Sequence, residues 1–188
     1  MSEEDDARIT GSLFRGYVAG LDAMGLRASV RAAVSPPVQA LIDHPPMHRE
    51  WLDGTQLVEV FKAVIALRGL EGIRQLGYEA TRASTLNHLR PMIHAALGIH
   101  GATPAGVFGQ LNAICKPFFR GLSFEYEAEN PRAGTITLRS RRAMGVVEFA
   151  AWEGALRTLY GELRTPGGVV GPAVIAPDRR SGRMKVRW

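Results

Sequence analysis

Near residue 118 the hydrophobic period of this chain changes from helical to alternating, and that change limits the architectures open to it. Behind it, Phe124, Tyr126 and Ala128 alternate with Glu125, Glu127 and Glu129. Ile136 and Leu138 then alternate with Thr135, Thr137, Arg139 and Arg141, and the intervening Asn130-Pro131-Arg132-Ala133-Gly134 supplies turn residues. A hairpin follows from this pattern. Residues 145–163 return to helical spacing through Val147, Phe149, Ala150, Trp152, Leu156, Leu159 and Tyr160, and the segments 169–176 and 183–188 read as two further strands about a turn at 177–182. The back of the chain is therefore predicted as one four-stranded antiparallel sheet in β-β-α-β-β order, covered on one face by helices.

The front is helical throughout. Leu13, Phe14, Tyr17, Val18 and Leu21 share a helical face, with Gly25 placed to stop it. Residues 27–34 form a second helix that ends ahead of Ser35-Pro36-Pro37, because a residue before proline is pushed away from helical dihedrals. A third runs from those prolines to Ile42, and residues 43–48 make a loop. Asp53 is an N-cap for a long helix through Leu57, Val60, Phe61, Val64 and Leu67, apolar almost all round. A further helical segment spans about 70–89, Pro91 kinks or restarts it, and Met92 to Ile99 continues as an apolar turn or two. Thr103-Pro104 opens another helix, to about Lys116. The expectation is one α+β domain over 1–188, with a helical lobe over about 9–118 and a sheet-containing lobe over about 119–188.

At 188 residues and 46% apolar content the chain can bury a core of its own. No apolar run is long enough to span a bilayer, the acidic start lacks the features of a secretory leader, and the single cysteine, Cys115, forms no internal disulfide. A cytoplasmic location is expected. Charge is uneven: residues 1–131 hold 12 Lys/Arg against 14 Asp/Glu, a net of −2, and residues 132–188 hold 11 against 4, a net of +7. Alternation puts Arg139 and Arg141 on the face of Glu125, Glu127 and Glu129, and puts Arg183, Lys185 and Arg187 on one face of the last strand. Cross-strand pairing would use much of this charge. Arg179 and Arg180 remain over, but no aromatic residues interleave them to stack on bases, so a nucleic-acid or other polyanion role is the weaker reading.

Linear motifs for catalysis are missing: no nucleophile elbow, phosphate-cradling glycine loop or helical His-Glu-x-x-His occurs. Pro45-Pro46 prevents His44 and His48 from sharing a helical turn, and His88, His94 and His100, six apart, do not share a helix face. Cys115 reads as an inert core thiol. Glu59 and Glu79 have Arg74 or Arg82 as candidate partners. A non-enzymatic domain is expected.

Gly101-Ala102-Thr103-Pro104, the run Leu138-Arg139-Ser140-Arg141-Arg142 and the closing Met184-Lys185-Val186-Arg187-Trp188, taken in this element order, resemble the H-NOX (haem nitric oxide/oxygen binding) fold. The last strand is also similar to that of an uncharacterised myxobacterial paralogous family whose chains end in Trp. The resemblance implies a Tyr-x-Ser-x-Arg signature for the haem propionates. Ser140 and Arg142 match it and Leu138 replaces its tyrosine. The family's proximal histidine falls near Met92, with His94 close by. With both haem-defining residue types displaced, the expectation is a haem-free regulatory domain that binds a small apolar ligand or a signalling protein, with Phe61, Ile65, Met92, His94, Phe108, Leu111 and Leu138 as candidate pocket residues. Core packing is the favoured account of each of them taken singly. The alternative is a haem-based gas sensor with His94 as ligand and Ser140 and Arg142 on the propionates. A second copy of the chain remains open as a partner.

Overall fold

The computed structural model describes residues 7–84 and 103–188. Its front begins with a short strand, β1 (Arg8–Thr10), that runs directly into α1 (Gly11–Ala23), where the Thr10 hydroxyl accepts the Leu13 amide as an N-cap. Gly25, at a φ of 67° that disfavours any side chain, ends that helix and turns the chain into α2 (Arg27–Ala33) and α3 (Pro36–Asp43). After the loop, β2 (Trp51–Asp53) pairs antiparallel with β1. Neither three-residue strand was expected, because three residues are too few to show alternation. The Asp53 carboxylate accepts the Thr55 amide at 2.8 Å and opens α4 (Gly54–Ser84). This helix breaks at Gly69 (φ 64°, ψ −167°), which is where the two predicted helical segments meet. It is less uniformly covered than its composition implied: Leu57, Val60, Phe61 and Val64 are buried, whereas Leu67 is exposed.

Thr103 caps α5 (Pro104–Phe108) by accepting the Gly106 amide at 3.2 Å. The single helix expected to reach Lys116 is two, α5 and α6 (Leu111–Cys115), separated at Gly109-Gln110. Asn112 of α6 then accepts the Phe124 amide and donates to its carbonyl, capping hydrogen-bonding groups on the outer edge of the sheet.

The sheet holds β3 (Leu122–Asn130), β4 (Ala133–Ser140), β5 (Val169–Val170), β6 (Val174–Ile175) and β7 (Ser181–Arg187), in the order β3-β4-β7-β5 with β6 also on β7. The α+β class and the hairpin, helix, hairpin order stand. The four-strand count is corrected to five: Gly171-Pro172 interrupts the expected strand over 169–176, since proline offers no ladder donor. Phe124 faces Leu138 and Tyr126 faces Ile136, so the predicted apolar face is the buried one. On the other face Arg139 reaches Glu125 at 3.2 Å and Lys185 pairs with Glu129, as the alternation required. Arg82 pairs with Glu79 at 2.8 Å, whereas Glu59 accepts the Ser35 amide.

Helix α7 (Val146–Glu162) lies between the sheet and the front helices and belongs to both apolar cores: Ala150 and Ala151 to the helical one, Phe149, Leu156, Leu159 and Tyr160 to the sheet's. Its crossing with α4 is backbone on backbone. A Cβ at Gly154 would lie 1.8 Å from the Arg74 carbonyl oxygen, and one at Gly77 would lie 2.0 Å from that of Ala151, so only glycine fits at either point. A buried ion pair locks the crossing: Arg74 Nε donates to Glu153 at 2.6 Å, and Glu153 also accepts the Ala173 amide at 2.8 Å from the β5–β6 connection. Among the described residues no helix is long and apolar enough to cross a membrane.

Candidate functional site

Two narrow clefts lie where the front helices meet α7, one bounded by β1, α4 and the corner past β4, the other by α1, α6 and α7. The first, of about 50 Å³, is walled by Tyr17, Leu57, Phe61, Met144 and Trp152, with Arg142 and Glu148 at its polar side. The second, of about 60 Å³, runs between Leu13, Leu111, Ile114, Cys115 and Leu159. Tyr17, Phe119 and Trp152 belong to both, so these rings are the partition between them. The Phe119 and Trp152 ring centroids are 4.8 Å apart, and the Phe124 ring meets Trp152 edge-on at 4.9 Å. Burial raises the Tyr17 phenol well above its ordinary range and pushes the Cys115 thiol up to about 12.

The polar side is built by the end of β4. Strand alternation turns Leu138 and Ser140 to the buried face, and the chain then leaves the sheet so that Arg142 comes back over the cleft. The Ser140 hydroxyl accepts the Arg142 amide at 3.3 Å. Arg142 donates from Nη1 to the Ala143 carbonyl and from Nη2 to Glu148 Oε1, while its Nε is buried and has no partner. Glu148 sits at the third position of α7, and its other oxygen accepts the Gly145 amide at 2.7 Å, the carboxylate half of a capping box whose other half glycine cannot supply. The turn at 177–180 is fastened to the same corner: the Arg180 carbonyl accepts the Ser140 amide at 2.7 Å, the Arg179 carbonyl accepts that of Met144 at 2.8 Å, and Arg179 Nε donates to the Met144 carbonyl. Of the two arginines left over in the sequence reading, Arg179 thus helps to fasten this corner through its side chain, and Arg180 does so through its backbone carbonyl.

The expected pocket residues are dispersed. Phe61 lines the first cleft and Leu111 the second. Ile65 is half-buried against the helical core and lines neither. Phe108 is buried among Tyr126, Tyr160 and Trp188, each with its ring centroid 5.8 Å away. Leu138 is fully buried within the sheet's core. Met92 and His94, with His88 and His100, lie outside the described residues. Ser140 and Arg142 do come together. Sequence reasoning missed Tyr17 and Trp152, which it read as helix-face positions, and Phe119 and Glu148, which it did not single out. Only Glu148 left a usable trace, an acid three residues after Gly145 at a helix start. Among the described residues no group of His, Cys, Asp or Glu is arranged to hold a metal ion.

Helices in front of an antiparallel sheet, with an arginine just past the end of β4 beside a cleft, define an α+β architecture. Its structural relatives are H-NOX domains. The chain superposes on an Fe(II) unliganded H-NOX protein from K. algicida with a TM-score of 0.66 at 8% identity, over 95% of this chain and 96% of that one. It matches an oxygen-binding H-NOX domain related to soluble guanylate cyclases, in its oxygen complex, at a TM-score of 0.61 and 16% identity over 95% and 93%. A chain solved in work on modulating haem redox potential through porphyrin distortion gives 0.64 at 13% identity over 96% and 100%. The protein has the H-NOX fold. No family model matches the sequence, and no curated protein is similar to it at a significant level. These relatives overturn the haem-free, cofactor-less expectation: the structures that share the fold along nearly its whole length are described by iron, oxygen and haem.

Proposed function

We propose that the chain is a haem-based gas-sensing domain of the H-NOX type, without chemistry of its own, that reports its ligand state to a signalling protein in the cytoplasm. Arg142 carries this reading: a buried, unpartnered Nε–H beside an apolar aromatic cleft, two residues beyond a buried serine, in a fold shared with haem proteins.

The residues suit the group at its anionic edge. A porphyrin carboxylate is an acceptor, Arg142 Nε is an unused charged donor, and the Ser140 hydroxyl keeps its own proton to donate after accepting the Arg142 amide. Leu138 offers no such donor. The walls are apolar and aromatic, in keeping with a flat macrocycle, but the Phe119–Trp152 partition must turn aside to join the two clefts before a porphyrin fits. Bound haem supplies an iron centre at which a diatomic gas is held, and one histidine suffices as its protein ligand. We assign that histidine to His94, two residues from Met92, the position at which the spacing from Gly101-Ala102-Thr103-Pro104 places the family's proximal histidine.

Purification with added haem tests the proposal. A Soret band that shifts with carbon monoxide, disappears in His94→Ala and persists in His88→Ala and His100→Ala is expected. Protein that takes up no haem refutes it.

A further inference from the structure

The outer face of the sheet, turned away from the helices, sorts its charges by strand. On it β3 presents Glu125, Glu127 and Glu129, β4 presents Thr135 and Thr137, and β7 presents Arg183, Lys185 and Arg187. The ladder sets these side chains in rows, Glu125 beside Thr137 beside Arg183 and Glu127 beside Thr135 beside Lys185. Acids and bases therefore stand two strands apart, about 10 Å, with short uncharged side chains between them. Within one chain this charge is only partly satisfied. Lys185 reaches over Thr135 to Glu129, and Arg139 takes Glu125 at 3.2 Å. Glu127, Arg183 and Arg187 are exposed and have no hydrogen-bonding or ion-pairing partner for their side chains among the described residues.

We propose that this face is a self-complementary docking surface for a second copy of the chain, paired through a two-fold axis that runs along β4. Such an axis keeps height along the strands and exchanges the two sides of the sheet. Glu125 of each copy then lies over Arg183 of the other, Glu127 over Lys185, and the Glu129 end of β3 over Arg187. Each unpartnered group meets an opposite charge, and every contact occurs twice. A two-fold axis across the strands would instead lay β3 on β3 and acid on acid, so the charge pattern selects one orientation. Stacked sheets sit about 10 Å apart, a gap that a glutamate and an arginine reaching from opposite layers can close. The face is small: four strands of about seven residues measure about 19 by 23 Å, roughly 900 Å² over both copies. That area belongs to a weak, salt-sensitive dimer and not to a permanent one. Pairing through this face is independent of what the clefts hold.

Sedimentation equilibrium of the full chain at submillimolar concentration tests this. Raising the salt from about 0.1 to about 1 M, which shortens the screening length from ~10 to ~3 Å, should weaken the dimer about tenfold or more. Arg183→Glu and Glu125→Lys, made separately, each turn two attractions into two repulsions and should each weaken self-association about tenfold or more. Mixed in equal amounts, the two variants regain both contacts, one as the native pair and one with its charges exchanged. A heterodimer about as tight as the wild-type dimer is expected. Both positions are exposed, and far-UV circular dichroism checks that both variants are folded. A wild type that is monomeric at low salt, a dimer that salt or the single variants leave unchanged, or a mixture that stays monomeric overturns the proposal.

Discussion

Replacing Arg74 by methionine should be among the most damaging single changes to the α4–α7 crossing. The Glu153 side chain is 4% exposed and that of Arg74 18%, and Arg74 Nε meets the carboxylate at 2.6 Å. The variant keeps the volume of the stem and strands a buried carboxylate, a mechanism that costs about 3–5 kcal/mol. Loss of the second partner of Arg74, the exposed Glu71, adds less than about 1 kcal/mol. With a urea slope of about 2 kcal/mol per molar, the unfolding midpoint should fall by roughly 1.5–2.5 M. The double variant Arg74→Met/Glu153→Met separates charge from packing. It removes the stranded carboxylate but leaves the Ala173 amide without its acceptor, worth about 1–3 kcal/mol, so it should be more stable than Arg74→Met by roughly 1–2 kcal/mol. Urea unfolding followed by circular dichroism and by tryptophan fluorescence measures all three proteins. A midpoint shift below about 0.5 M for Arg74→Met, or a double variant weaker than the single one, would refute the claim that this pair locks the lobes together.

Gly154→Ala places its methyl 1.8 Å from the Arg74 carbonyl and must push α4 and α7 apart, so a stability loss of at least about 1–3 kcal/mol is expected by thermal unfolding, against little change for Gly161→Ala, whose Cβ meets nothing within 4 Å. Trp152→Ala should merge the two clefts, lower stability by about 3 kcal/mol and raise porphyrin affinity several-fold in a fluorescence titration, whereas reduced affinity would show Trp152 to be a contact and not a partition. Cys115 should resist thiol reagents at pH 8 until the chain unfolds. Its folded pKa is pushed up to about 12 and an unfolded thiol ionises near ~8.5, so its contribution to stability is complete below pH ~8.5 and declines as the pH climbs toward 12, an effect that Cys115→Ala should remove from the alkaline limb of the stability profile.

Legibility in the sequence followed the length over which each pattern is sustained. The β3–β4 hairpin announces itself through eight or nine residues a strand, with carboxylates and arginines on the outer face, and its register carries those charges into contact. The strands β1 and β2 repeat nothing, and their pairing depends on a contact between residues more than forty apart. The cleft was hidden for a different reason. Tyr17, Phe119 and Trp152 come from three distant segments, and each satisfies the rules for an ordinary core position, so no local pattern distinguishes a partition between two cavities from a packed interior. Ser140 and Arg142 were legible only through the resemblance to the H-NOX signature, and Glu148 escaped because its capping role alone explains its presence.

Leu138 is where sequence resemblance and packing can be set against each other. It stands in the place of a tyrosine in the signature, yet the structure shows why leucine fits. Leu138 pairs across the ladder with Gly182, and a Cβ at Gly182 would lie 2.4 Å from the Phe149 ring. The phenyl group of α7 thus rests on the sheet at the glycine beside Leu138, in space that a larger side chain at 138 would need. Glycine and leucine in the sheet and phenylalanine in the helix form one packing solution. Leu138→Tyr alone should therefore overpack the sheet's core and cost about 1–3 kcal/mol, and a second change, Phe149→Leu, should recover much of that loss by vacating the ring's volume. If Leu138→Tyr is neutral and Phe149→Leu adds its own cost on top, the two side chains do not compete and the leucine has another cause.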